Sequence, residues 1–103
     1  MGIRPHVHIK HEIKYGNEIP NMKYCQKDVY DFFFANNVDV IGGGDYGENP
    51  DWEFDREQLE ILAKKKMPFR KRWGDVSGKD LRVLVDELLK TKVKGGSVYL
   101  SWF

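Results

Sequence analysis

Along residues 4–15, apolar and polar positions alternate. Val7, Ile9, Ile13 and Tyr15 stand against His6, His8, Lys10, Glu12 and Lys14, with His11 falling on the apolar side. A period of two marks a strand with one face buried and one wet. The stretch therefore predicts one long strand, ended as a loop by Gly16, Asn17 and Pro20. The period then changes. Cys25, Val29, Phe32 and Phe33 recur at i, i+4, i+7 and i+8, a single helical stripe. They predict a helix over residues 21–37, with Asn36 and Asn37 as stop residues. Tyr30 and Phe34 widen the stripe, as expected of a helix covered on two sides. Val38, Asp39, Val40 and Ile41 predict a short strand closed by Gly42, Gly43 and Gly44, and the Gly, Asn, Pro and Asp content of residues 44–52 predicts an irregular loop.

The next two helices announce their starts. Asp55 suits an N-cap, with Gln58 three residues on to reciprocate and Phe54 to pack on Leu59 as a hydrophobic staple. Ser77 repeats the device with Asp80, Val76 and Leu81. The helices are expected over residues 56–66 and 78–92, lined by Leu59, Leu62 and Ala63 and by Leu81, Leu84, Val85 and Leu88. Pro68 would stop the first, and Gly95 with Gly96 the second. Residues 97–103 alternate again, with Val98, Leu100 and Trp102 on one face and Tyr99 and Phe103 on the other. The predicted order is β-α-β-α-α-β. It belongs to the α+β class: a small, mostly antiparallel sheet of about three strands with three helices packed on one face. The terminal strands are candidates to pair, but the pattern fixes no strand order.

Composition narrows the class. At 103 residues and 41% hydrophobic, the chain suits one globular domain, 1–103, with a single core. No apolar run reaches the roughly 18–20 residues of a membrane span. The first 14 residues alternate rather than forming the apolar stretch of a secretory signal. Cys25 is the only cysteine, so no internal disulfide can form. These features predict a cytoplasmic protein without a membrane partner.

Charge changes the picture more. The net value is +1, yet residues 45–60 carry seven acids against Arg56 alone, and residues 61–73 carry six cations and no acid. Aromatics stand among both blocks: Tyr46, Trp52 and Phe54, then Phe69 and Trp73. Part of the split suits helix electrostatics, since Asp55 and Glu57 would start a helix and Lys64, Lys65 and Lys66 would end it. The surplus points to recognition. The leading expectation is a non-enzymatic interaction or regulatory domain that binds a macromolecular partner, a protein before a nucleic acid. Asp51, Trp52 and Glu53 would form one charged-aromatic surface, and Arg70, Lys71, Arg72 and Trp73 the other. Opposed patches of this kind also suit self-association.

Two other classes follow from particular residues. The basic-aromatic segment 64–73 could meet phosphates and stack on bases, although a sequence pI of 7.8 is low for a dedicated nucleic-acid binder. His6 and His8, two apart on one strand face, have the spacing of a His-x-His metal pair, and a small metalloenzyme would need a further ligand from elsewhere. No cofactor is otherwise implied. Gly42, Gly44 and Gly47 match G-x-G-x-x-G, but Asn49 and Pro50 follow where a helix should open, and Asp45 and Glu48 would repel phosphate. Cys25 has no neighbouring base and reads as a buried, inert thiol. No Ser-His-Asp arrangement is visible along the chain.

Overall fold

A computed structural model describes residues 5–10, 14–19, 21–42, 51–91 and 96–102, with the backbone alone for 8–10 and 14–18. Four strands, β1 (Pro5–Lys10), β2 (Lys14–Glu18), β3 (Asp51–Asp55) and β4 (Ser97–Trp102), form an antiparallel sheet in the order β2-β1-β4-β3. Three helices, α1 (Gln26–Ala35), α2 (Arg56–Ala63) and α3 (Gly78–Lys90), complete the α+β arrangement. The terminal strands do pair. Pro5 faces Trp102, His6 faces Ser101 and Val7 faces Leu100 at the centre of the sheet.

Strand parity sorts the faces. Val7, Trp52, Phe54, Val98, Leu100 and Trp102 share one face and are all buried among the helix side chains. Phe54 meets Phe33 of α1 with ring centroids 4.7 Å apart. His6, Asp51, Glu53, Tyr99 and Ser101 share the opposite face.

Local chemistry explains the helices. Val29, Phe32 and Phe33 are buried along α1, and Cys25 is buried at its N-cap position. The helix starts later than its stripe because Asn21 and Tyr24 adopt positive φ, which turns the chain. At the far end Asn37 takes φ 61°, the Val38 N–H bonds to the Phe33 carbonyl, and the Asn37 N–H bonds to that of Phe34. That is a Schellman stop, with Asn supplying the left-handed residue and buried Val38 the accompanying apolar contact. Phe34 departs from expectation. It is 72% exposed, so α1 buries one face and not a second.

Both expected caps form. The Asp55 carboxylate accepts the Glu57 N–H at 2.9 Å, and Ser77 accepts the Asp80 N–H at 3.1 Å while donating its hydroxyl to the Asp80 carboxylate at 2.9 Å. Each is worth about 1 kcal/mol. Gln58 does not reciprocate at its cap; it clamps Asp39 instead, accepting from the Asp39 N–H and donating to its carboxylate.

The strands differ from expectation in four places. The run read as one strand over residues 4–15 is two, β1 and β2, paired with each other. The alternation passes through residues 10–14 without a turn residue to interrupt it. Gly16 and Asn17, read as loop, lie inside edge strand β2. Residues 38–41 make one bridge rather than a ladder: Ile41 and Glu53 exchange both backbone hydrogen bonds at 2.9 Å, beside the edge of β3. Asp51 and Trp52, read as the end of a loop, open β3, whose acids simply occupy the wet positions. The glycine-rich segment 43–50, His11, Gly95 and Phe103 lie outside the described residues.

Candidate anion-binding cleft

Helix α2 ends at Ala63, three residues earlier than the pattern suggested, with Lys64 as its C-cap. Lys65 and Lys66 therefore lie beyond the helix, and its last turn contains no cation. A short 3-10 helix, Met67–Arg70, follows, with Pro68 near its start. The α2 carbonyl end is served from α3 instead: Arg82 Nη1 donates to the Ala63 carbonyl at 2.6 Å. Arg82 is fixed twice more, by Asp86 at 3.3 Å and by the Phe69 ring, whose centroid lies 5.0 Å from the guanidinium.

The rest of the connection is tied down by its aromatics and glycines. Phe69 and Trp73 both pack on Phe32 of α1, at centroid distances of 5.7 and 5.5 Å. Trp73 and Val76 exchange backbone hydrogen bonds around a tight turn at Gly74, φ 60°. A side chain at Gly74 would run into Asp28, whose carboxylate accepts the Asp75 N–H at 3.2 Å. Gly78 lies beneath the Phe69 and Lys71 carbonyls, where a β-carbon would overlap backbone.

What remains is an open concavity of about 400 Å³, lined by Ala63, Lys64, Lys65, Lys66, Phe69, Arg70 and Arg82. Lys64, Lys65, Lys66 and Arg70 are exposed, and none of them enters an ion pair among the described residues. A helix C-terminus carries only about half a negative charge, felt within its last turn. Arg82 already meets that end and Asp86. The four other cations have no ion-pair partner among the described residues, and Lys64 alone of them stands at the helix end.

The residues singled out from the sequence divide accordingly. Arg70 and Lys71 are exposed on the connection, and Arg72 donates to the Asp75 carbonyl at 3.1 Å. Trp73 is half-buried, and its indole N–H is enclosed without an acceptor among the described residues. Its packing on Phe32 helps anchor the connection. Trp52 corrects the reading further: it is 1% exposed, packed on Tyr30, Phe54 and Trp102, because alternation in β3 turns it inward. Its neighbours point the other way and are engaged. Asp51 accepts the Ser101 hydroxyl at 2.6 Å, and Glu53 accepts that of Ser97 at 3.1 Å. Asp51, Trp52 and Glu53 thus form no joint charged-aromatic surface.

His6 and His8 lie on β1, where the pairing with β2 shifts register on both sides of His8. No group of three potential metal ligands comes together among the described residues. The sheet does assemble one row that sequence spacing could not reveal. His6, Ser101 and Asp51 are cross-strand neighbours on β1, β4 and β3, although they are far apart in the chain. Their order is unlike that of a catalytic triad. Ser101 stands between the other two, is 2% exposed and gives its proton directly to Asp51, whereas nucleophile activation needs the imidazole between hydroxyl and acid. Cys25 is also a poor nucleophile. Burial, then the charges of Asp28 and Asp75, push its thiol up, and its Sγ lies 3.4 Å from the Lys23 carbonyl.

Comparison of the chain with family models, curated proteins and solved structures found no match. The cleft is accordingly read on its own chemistry. No described helix is long and apolar enough to cross a membrane.

Proposed function

We propose that this protein is a non-enzymatic interaction domain that binds an anionic macromolecular partner through the cleft at the end of α2. The observation that carries the reading is the set of cations, Lys64, Lys65, Lys66 and Arg70, that have no ion-pair partner among the described residues and gather around one concavity beside Arg82. A wall held by Arg82 and exposed lysine heads suit capture of a partner's negative groups, with an on-rate raised by the local field. Binding rather than catalysis fits the commitments of the reactive groups: the Ser101 hydroxyl serves Asp51, and the Cys25 thiol is buried. A cytoplasmic setting suits a single buried, reduced cysteine.

The basic side of the charged-aromatic pair carries this reading, since Trp52 is buried and Asp51 and Glu53 are engaged by Ser101 and Ser97. The nucleic-acid reading of the same segment has less support, because Phe69 and Trp73, the rings that would stack on bases, are packed on Phe32. The test is retention of the purified protein on immobilised poly-glutamate at low salt. Wild type should be retained and released by salt, and the Lys65→Glu/Arg70→Glu variant should flow through. Equal elution of the two folded proteins would rule the cleft out as the contact surface.

A further inference from the structure

Two exposed apolar side chains, outside the cleft lining, neighbour its lysines along the chain. Ile61 precedes Lys64 by three positions, neighbours on one helix face, and is 53% exposed. Met67, between Lys66 and the rest of the 3-10 helix, is 61% exposed. Phe69 contributes its accessible edge to the lining. A phosphate backbone has no use for two bare aliphatic side chains beside its cations. A protein segment that alternates carboxylates with apolar side chains does, since it can satisfy the lysines while covering Ile61 and Met67.

We infer that the occupant of the cleft is a short acidic-apolar peptide segment of a partner protein, its carboxylates meeting Lys64, Lys65, Lys66 and Arg70 and its apolar side chains covering Ile61 and Met67. The inference rests on the cleft being the binding surface and adds the chemistry of the partner. Arg82 and Phe69 act as the rigid floor. Arg82 is held by Ala63, Asp86 and Phe69 together, so little side-chain freedom is left to lose there. Met67 has three rotatable bonds and a polarisable sulfur, which suits an apolar contact that must adapt to different side chains. The lining, which holds five cations and no acid, also sets a selectivity rule: a basic or neutral apolar peptide leaves the lysines unmatched and is rejected.

The test is fluorescence anisotropy at low salt with three labelled probes. One is a synthetic peptide alternating glutamate and leucine, the second has serine at each leucine, and the third is a single-stranded oligo-dT. Wild type should bind the glutamate–leucine peptide most tightly. Ile61→Ser with Met67→Ser should weaken that complex by about tenfold, roughly 1.4 kcal/mol, and leave the serine peptide's affinity unchanged. Both sites are exposed, and the serine peptide provides the same comparison with no substitution in the protein. Equal affinity for the two peptides, or tighter binding of oligo-dT that ignores the serine substitutions, would overturn the inference while leaving the cleft as a polyanion site. Failure of all three probes to bind would remove the cleft itself.

Discussion

The two ends of the α2–α3 pair use one device to opposite effect. At one end Arg56, the first residue of α2, donates to the carbonyls of Leu89 and Thr91 at the end of α3 and pairs with Glu60 at 3.6 Å. At the other end Arg82 of α3 donates to the Ala63 carbonyl at the end of α2 and pairs with Asp86. Each helix is thus closed by an arginine from its antiparallel neighbour. Around Arg56 the helix end and Glu60 give its charge a match. Around Arg82 four further cations stand with no ion-pair partner among the described residues. The difference teaches which charges the fold requires and which it merely tolerates. Arg82 itself closes the α2 end by donating to the Ala63 carbonyl, and the lysine run beside it is assigned to binding in the proposal above.

Breaking the shared support should have the largest effect. Phe33→Ala and Leu84→Ala each leave a cavity in the core beneath both ends, and should cost about 2–5 kcal/mol in denaturant unfolding. Trp73→Ala should also lower the melting temperature clearly, since the ring packs on Phe32; unchanged stability would return Trp73 to the surface. Next come the two arginines. Arg56→Ala and Arg82→Ala should each destabilise by roughly 1.5–3 kcal/mol through the loss of charge-assisted hydrogen bonds to carbonyls. Only Arg82→Ala should also weaken peptide binding per folded molecule, and equal binding losses would erase the distinction between the ends.

Gly78→Ala sharpens the comparison by moving one end alone. Its β-carbon would displace the Phe69 and Lys71 carbonyls, which predicts a loss of about 1–3 kcal/mol and altered amide shifts over residues 67–71. The smallest effect concerns pH. The Cys25 thiol is held above its ordinary value, chiefly by burial, so the folded state prefers the neutral form. That contribution is complete below the unfolded thiol's pKa of about 8.5 and is lost as pH rises through the folded value. Wild type should therefore lose stability relative to Cys25→Ala only in the alkaline range, as followed by thermal unfolding; a difference that is flat with pH would contradict it.

Much of this fold was legible because local signals agreed with the tertiary outcome. Ser77 and Asp55 cap where their spacing suggested, and Asn37 stops α1 with its own φ of 61°. The pairing of β1 with β2 was not legible, since the alternation runs through residues 10–14 and no glycine or proline stands between the strands. β3 was concealed by its own charge: its acids are the wet positions of a strand that buries Trp52 and Phe54. For the cleft, the cations were readable and their arrangement was not. Arg82 comes from a helix more than ten residues beyond the lysines, and only the packing of α3 against α2 brings it to Ala63. The packing of Trp52 on Trp102 and of Trp73 on Phe32 joins residues distant in the chain, which composition cannot reveal.

The separation of fold charge from binding charge is tested most directly by one paired experiment on Lys65→Glu/Arg70→Glu. Melting temperature and affinity for the glutamate–leucine peptide would be measured on the same samples across a salt series. Reversal of exposed cations that have no ion-pair partner among the described residues should leave stability within about 0.5 kcal/mol of wild type, while wild-type affinity falls steadily with salt and the variant's is lost at every point. Undiminished affinity in the variant, or a fall in stability that tracks the fall in binding, would contradict the account.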